Sequence, residues 1–465
     1  MQRILIKDIV NKVGEEVVLF GWVDARRDHG KLIFIDLRDR TGITQVVFLP
    51  KPEELHASAD KLRSEWVIKL TGKVNKRPEN MINKEIETGE VEIQATGLEI
   101  INEAETPPIP ISGDGYEIAE EARMKYRYLD LRRKRLQKNI RVRSKIANLI
   151  RNFLLENDFV EIETPNLTKS TPEGARDYLV PSRLQSGNFY ALPQSPQQYK
   201  QLLMVAGFER YFQLARCFRD EDTRGDRQPE FTQLDLEMSF VDMEDVMSLN
   251  ESLLIKIVKD LYPQKTIQQI PFPRITYKEA MGKYGTDRPD LRENKDDSNL
   301  LAFCWIIDFP FFEKTENNKW TFTHNPFSAP MEKFRGNLIN KENIADILTT
   351  QYDIALNGSE IGGGSIRNNK SVELKKVFEI MGFEDEKIEK NFGHMLKAFD
   401  YGAPIHGGIA WGFDRLVAML ENEPNIREVI AFPKTGDGRD LMMDSPSQVS
   451  EEQLKELHVK ITEQK

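Results

Sequence analysis

Only two cysteines, Cys217 and Cys304, occur in 465 residues. They stand far apart and in no CxxC pair, which excludes a disulfide scaffold and a cysteine-rich metal centre and predicts a reducing, cytoplasmic setting. Long apolar runs are also missing. The stretch 300–312 is too short for a membrane span and is broken by Asp308, and residues 1–12 lack the apolar core of a secretory signal, so no membrane partner is expected. Positive charge is in deficit: 65 Lys and Arg face 75 Asp and Glu, for a formal net charge of -10. That excludes nucleic-acid binding through bulk charge and leaves only local basic surface for it. There is no GxxxxGK[ST] and no strand-linked GxGxxG, so a nucleotide would have to be held in another way. No internal repeat is present, which excludes a solenoid or propeller.

What remains is a chain long enough for two or three domains, with 39% hydrophobic residues to build cores. Two basic clusters stand out: Arg26, Arg27, Arg38 and Arg40, and the run 125–138 (KYRYLDLRRKRLQK). Each is equally readable as a solvated charged face. Between residues 16 and 99, five short alternating runs (VVLFGWV, KLIFIDLRD, ITQVVFL, WVIKLTGKV, VEIQATGLEI) are separated by Gly, Asp and Pro, the pattern of a small closed barrel. The segment 101–115 has three prolines and no helical period, and it reads as a linker. Ile140, Ile146, Leu149, Ile150, Phe153 and Leu154 then recur at helical spacing, predicting an amphipathic helix within 123–157 with a basic outer face. Further on, strand-like runs alternate with helices, suggesting an antiparallel sheet flanked by helices and hence an α+β fold. The expected division is a barrel over 1–104, a hinge over 105–130, a second domain over 131–447 and a short polar tail over 448–465.

Three segments carry candidate chemistry. In 218–231 (FRDEDTRGDRQPEF), Arg219 ends one strand and Phe231 lies on the returning one; arginine grips phosphate and an aromatic ring stacks on a base. Alone, this is as easily a surface hairpin held by salt bridges. In 351–367 (QYDIALNGSEIGGGSIR), Asp353 and Glu360 stand beside three glycines, suiting Mg²⁺ shared with phosphates and a ligand lying against the backbone, or else a flexible turn. In 406–420 (HGGIAWGFDRLVAML), small residues lead into a helix whose first turn holds Arg415. A cation there opposes the helix dipole unless a phosphate accompanies it.

In this order, behind a barrel, the last two of these elements and the hairpin resemble motifs 2 and 3 of the class II aminoacyl-tRNA synthetases, and DFVEIETP (158–165) resembles motif 1, which in that class builds a homodimer interface. The resemblance covers nearly the whole chain and falls in the subclass that serves aspartate, asparagine and lysine. It implies an OB-fold anticodon-binding barrel and a class II catalytic core. An aspartate pocket must neutralise a carboxylate, and Lys200 (in LPQSPQQYKQ) and Arg367 supply the cations for it. These segments resemble signatures of the bacterial aspartate family. By that resemblance Glu173, Gln197 and Asp235 surround the amino group and side chain, and His324 (in THNPFS) closes over the substrate.

The implied activity is aspartate-tRNA ligation. ATP and Mg²⁺ are used to make aspartyl-adenylate from L-aspartate, which is then transferred to tRNA(Asp). Arg219 would hold the α-phosphate, Arg415 the γ-phosphate, Asp353 and Glu360 the Mg²⁺; Phe231 would stack on adenine, and Glu221 belongs to the same ATP site. On the barrel, Phe34 is the expected stacking platform, Arg27, Gln45 and Glu92 match anticodon-reading positions, and Arg224 would meet the acceptor end. There are two departures. Bacterial relatives carry a large domain between motifs 2 and 3, whereas residues 292–299 (RENKDDSN) make only a short polar connection. His29 stands where relaxed members, which charge tRNA(Asn) too, carry His, although the glycine of those members is missing near Asn80 and Met81. Competing readings are an asparagine-synthetase-like ligase, which the barrel opposes, and a non-enzymatic OB-fold RNA-binding protein, which Arg219, Asp353, Glu360 and Arg415 oppose.

Overall fold

The structure, a computed structural model, describes residues 2–170, 174–223 and 225–462. Contacts divide the chain into two compact units, Met1–Pro110 and Ile111–Lys465.

The first unit is a closed barrel of five strands, β1 (Glu16–His29), β2 (Leu32–Asp39), β3 (Gly42–Phe48), β4 (Val67–Lys76) and β5 (Val91–Asn102), in the order β1-β2-β3-β5-β4. Alternation drives it: Ile33, Ile35 and Leu37 are buried in the barrel core while Phe34, Asp36 and Arg38 lie on the outer side of the same strand. The short parallel pairing of β3 with β5 closes the ring, which leaves no open sheet edge.

The second unit is built on an eight-stranded sheet: β6 (Val160–Glu161), β7 (Arg210–Phe218), β8 (Glu230–Ser239), β9 (Arg274–Thr276), β10 (Phe303–Ile307), β11 (Gln351–Leu356), β12 (Ser359–Ile366) and β13 (His406–Gly412). Their spatial order is β9-β10-β11-β12-β13-β8-β7-β6. The expectation of an antiparallel sheet needs correction at both margins. The six central strands are antiparallel, but β6 pairs with β7, and β9 with β10, in parallel. Strands of two and three residues are too short to show a pattern in sequence.

One face of this sheet is the core. Phe212, Leu236, Ile409 and Tyr352 pack there against Ile146, Ile150 and Leu154 of the helix Lys134–Glu156 and against Val246, Leu253 and Ile257 of the helix Met243–Leu261. Each such side chain contributes roughly 1.5–3 kcal/mol by leaving water. The opposite face carries the polar residues of the site.

The basic run 125–138 is not a continuous outer surface. The chain makes two short helices, Glu120–Lys125 and Arg127–Asp130, before the long one, and Arg127 and Arg133, with the neighbouring Arg123, turn inward. Asp130 takes ion pairs from all three, at 3.1 Å from Arg123, 2.7 Å from Arg127 and 2.6 Å from Arg133. Glu428 takes Arg123 at 2.7 Å and Arg135 at 2.8 Å. These cations serve the fold because carboxylates distant in sequence meet them.

Candidate active site

Lateral register lines up the polar face of the large sheet in two rows. Asp353, Gly363, Ala410, Asp235 and Gln213 are successive partners across β11, β12, β13, β8 and β7, and one pleat along come Gln351, Ser365, Gly408, Glu237 and Tyr211. The small residues in the middle of each row make room for the carboxylates at its sides. A Cβ at Gly363 would come within 2.6 Å of Asp353 Oδ1, and one at Gly408 would collide with Glu237.

Over these rows lie two adjoining cavities. The first, of about 280 Å³, is lined by Arg219, Glu221, Phe231, Glu360 and Arg415 among others. The β7–β8 hairpin sets Arg219 just past one strand and Phe231 on the next, with the guanidinium 5.1 Å from the ring centroid. Arg415 lies in the first turn of the helix Phe413–Leu420, donates to the Glu360 carbonyl at 2.6 Å and stands 3.5 Å from Asp226. The second cavity, of about 250 Å³, is lined by Gln197, Lys200, Asp235, His324, Asp353, Glu360 and Arg367. Arg219 and Glu360 line both.

The second cavity has a buried ionic floor. Lys200, on the helix Gln197–Val205, meets Asp235 at 2.7 Å and Glu237 at 3.3 Å; Arg367 meets Glu237 at 2.9 Å and also donates to Ser365 Oγ and the Gly408 carbonyl. Glu237 is missing from the expected set, though it follows Asp235 by two residues on a strand and therefore shares its face. Burial would raise the Glu237 carboxyl, but Arg367 and Lys200 outweigh it and hold it below the usual range. Burial pushes Asp235 up, against the pull of Lys200. A count of donors shows what the floor can still bind. Among the described residues Arg367 has engaged four of its five N–H groups, and Lys200 donates to Asp235 and stands 3.3 Å from Glu237. Both cations line the cavity with donor capacity left for a carboxylate.

Asp353 and Glu360, on neighbouring strands, face the same cavity. Burial, with the negative Glu360 nearby, pushes Asp353 well above the usual carboxylate range, although Gln351 donates to it at 2.6 Å. His324 Nδ1 lies 3.5 Å from Asp353 Oδ2, and its ring packs edge-on against Phe309; burial holds its pKa below the usual value. Among the described residues no three His, Cys, Asp or Glu side chains gather as a metal cluster, so any ion here would rest on two carboxylates and a ligand's own oxygens. Glu173 and Arg224 lie outside the described residues.

On the barrel, Arg27 pairs in register with Phe34, and Asp36 with Gln45. Arg27 is ion-paired to Asp36 at 2.6 Å, and Gln45 donates to Glu92 at 3.1 Å. One outer patch thus holds Arg27, Phe34, Gln45 and Glu92, while His29 is exposed at the end of β1.

Residues 119–436 match the family described as tRNA synthetases class II (D, K and N), and residues 17–101 match the OB-fold nucleic acid binding domain. The chain is 43% identical to the aspartate–tRNA(Asp/Asn) ligase of Rubrobacter xylanophilus over 575 residues, covering 97% of this chain and 95% of that protein. It is 41% identical to the aspartate–tRNA ligase of Macrococcus caseolyticus, covering 97% and 96%. Both alignments are longer than this chain, so the relatives carry segments with no counterpart here. The asparaginyl-tRNA synthetase of Pyrococcus horikoshii, solved with asparaginyl-adenylate, superposes with a TM-score of 0.75 at 23% identity over 94% of this chain and 98% of that one, a likeness of fold. No helix among the described residues is long and apolar enough to cross a membrane.

Proposed function

The chain belongs to the class II tRNA synthetases of the D, K and N group, and on that premise we propose that it is an aspartate-tRNA ligase that activates L-aspartate with ATP and passes it to tRNA. The observation that carries the aspartate reading is that two buried cations, Lys200 and Arg367, line one cavity. An asparagine amide would leave one donor facing another donor, and a lysine side chain would meet like charge.

The α-carboxylate of aspartate attacks the α-phosphorus of ATP in line, forming the carboxyl–phosphate bond as the bond to pyrophosphate breaks. A carboxylate is already ionised at neutral pH, so the chain supplies positioning and charge neutralisation in place of a general base. Arg219 holds the α-phosphate, Arg415 the γ-phosphate, and Phe231 stacks on adenine, with Glu221 at the rim. Gln197, Asp235 and Glu173 take the amino group, and His324 covers the substrate. Asp353 and Glu360 would hold Mg²⁺: a carboxyl raised by burial and by its neighbour's charge suits a divalent cation. When bound, the ion neutralises phosphate charge. The 3′-terminal hydroxyl of tRNA then attacks the adenylate carbonyl and AMP leaves, with Arg224 meeting the acceptor end.

The barrel patch reads the anticodon, with Phe34 stacking on a base and Arg27, Gln45 and Glu92 on base edges. His29, together with the dual names of the relatives, supports charging of tRNA(Asn) beside tRNA(Asp). The exposed edge strand β6 supports a homodimer. The test is aspartate-dependent ATP–pyrophosphate exchange, followed by charging of separate tRNA(Asp) and tRNA(Asn) transcripts by the wild type and His29→Leu. Exchange with aspartate alone, and a tRNA(Asn) activity lost in His29→Leu, is the expected result; no aspartate-dependent exchange would refute the activity.

A further inference from the structure

Two polar side chains beneath the aspartate pocket, Gln201 and His406, have no exposed surface at all and no part in the chemistry above. His406 opens β13, and its Nδ1 lies 2.8 Å from the Pro404 carbonyl oxygen. A carbonyl only accepts, so Nδ1 carries the proton. The ring is neutral: burial holds its pKa below the usual value, Glu237 pulls the other way, and Arg367 and Lys200 add to the depression. In a neutral imidazole with Nδ1–H, Nε2 is an acceptor. The atom 3.2 Å from it is Gln201 Nε2, which donates. That choice turns the Gln201 carbonyl oxygen the other way, where it accepts from Gln197 Nε2 at 3.0 Å, one helical turn back.

The consequence falls on Gln197. With its NH₂ group drawn to Gln201, its Oε1 is left toward the second cavity, which Gln197 lines. Asp235 lines the same cavity.

We propose that His406 and Gln201 are positioning residues for the amino acid: the chain Pro404–His406–Gln201–Gln197 fixes the Gln197 amide with its carbonyl oxygen toward the substrate's α-ammonium. An ammonium has three donors and no acceptor, so it is recognised by acceptors alone. A reversed Gln197 would set its NH₂ against that ammonium. The proposal rests on the aspartate reading of the site.

Succinate, which is aspartate without the amino group, separates this role from a merely structural one. In ATP–pyrophosphate exchange by the full chain, Gln201→Met is expected to raise the KM for aspartate by ~10-fold, the loss of a hydrogen bond to a charged group. The inhibition constant of succinate and the KM for ATP should each stay within about twofold, because neither ligand uses the ammonium site. If Gln201→Met does not fold, His406→Phe is read by the same ratio. Equal weakening of aspartate and succinate, or no change in either, would overturn the relay. Absence of exchange in the wild type would overturn the aspartate reading itself.

Discussion

Two buried ionic clusters in the second unit are made of the same kinds of residue and do different things. In one, Arg123, Arg127, Arg133 and Arg135 surround Asp130 and Glu428, and three further N–H groups of Arg127 go to the carbonyls of Arg427, Ile430 and Ala431. In the other, Lys200 and Arg367 meet Asp235 and Glu237, and Lys200, Asp235 and Arg367 line a cavity. Charge and burial do not separate the two; the cavity beside the second does. The first network clamps elements that are distant in sequence, and the second lies where a further partner can reach it from outside.

The comparison breaks most sharply at Asp130. Asp130→Asn leaves three guanidiniums converging on a neutral amide, and should cost about 3–5 kcal/mol of stability, read as a lowered urea midpoint, with the aspartate KM of the remaining folded enzyme unchanged. A shift in KM would mean that the clamp is part of the site. Lys200→Ala is the converse. It should lower kcat/KM for aspartate by about 100-fold or more while the KM for ATP holds, since Lys200 lines the amino-acid cavity and not the other. Equal losses for both substrates would remove Lys200 from the pocket.

Smaller effects sharpen the contrast. Phe34→Ala should weaken tRNA use by about 1–3 kcal/mol, seen as a fall in kcat/KM for charging, and leave pyrophosphate exchange untouched. Asp353 tests the same cavity wall through pH. Its folded pKa is raised, so the folded state holds the proton more tightly than the unfolded state does, and stability falls as pH climbs from the usual carboxylate range through that raised value. Asp353→Asn should therefore stabilise the ligand-free enzyme near neutral pH by about 0.5–2 kcal/mol, flatten this pH dependence, and abolish adenylation. Thermal melts between acidic and neutral pH give the answer.

Much of the architecture is legible in one dimension because local rules produce it. The barrel strands show a period of two since one face is dry, and the helix Lys134–Glu156 shows its apolar stripe for the same reason. Glu237 was legible too, two residues beyond Asp235 on one strand. The inward turn of Arg123, Arg127 and Arg133 was not. A basic run looks the same whether water or carboxylate faces it, and Glu428 stands 305 residues from Arg123. The His406–Gln201 contact spans 205 residues and leaves no local trace.

By itself, then, the sequence determined what short-range physics encodes: the alternation that makes strands, the ordered segments carrying Arg219, Asp353, Glu360 and Arg415, and the charge of a pocket built on Lys200 and Arg367. Only the tertiary structure decided which cations turn inward to clamp the fold and which line the cavity. Burial and ion pairing belong to neighbours in space, and in this chain those neighbours come from strands and helices far apart in sequence.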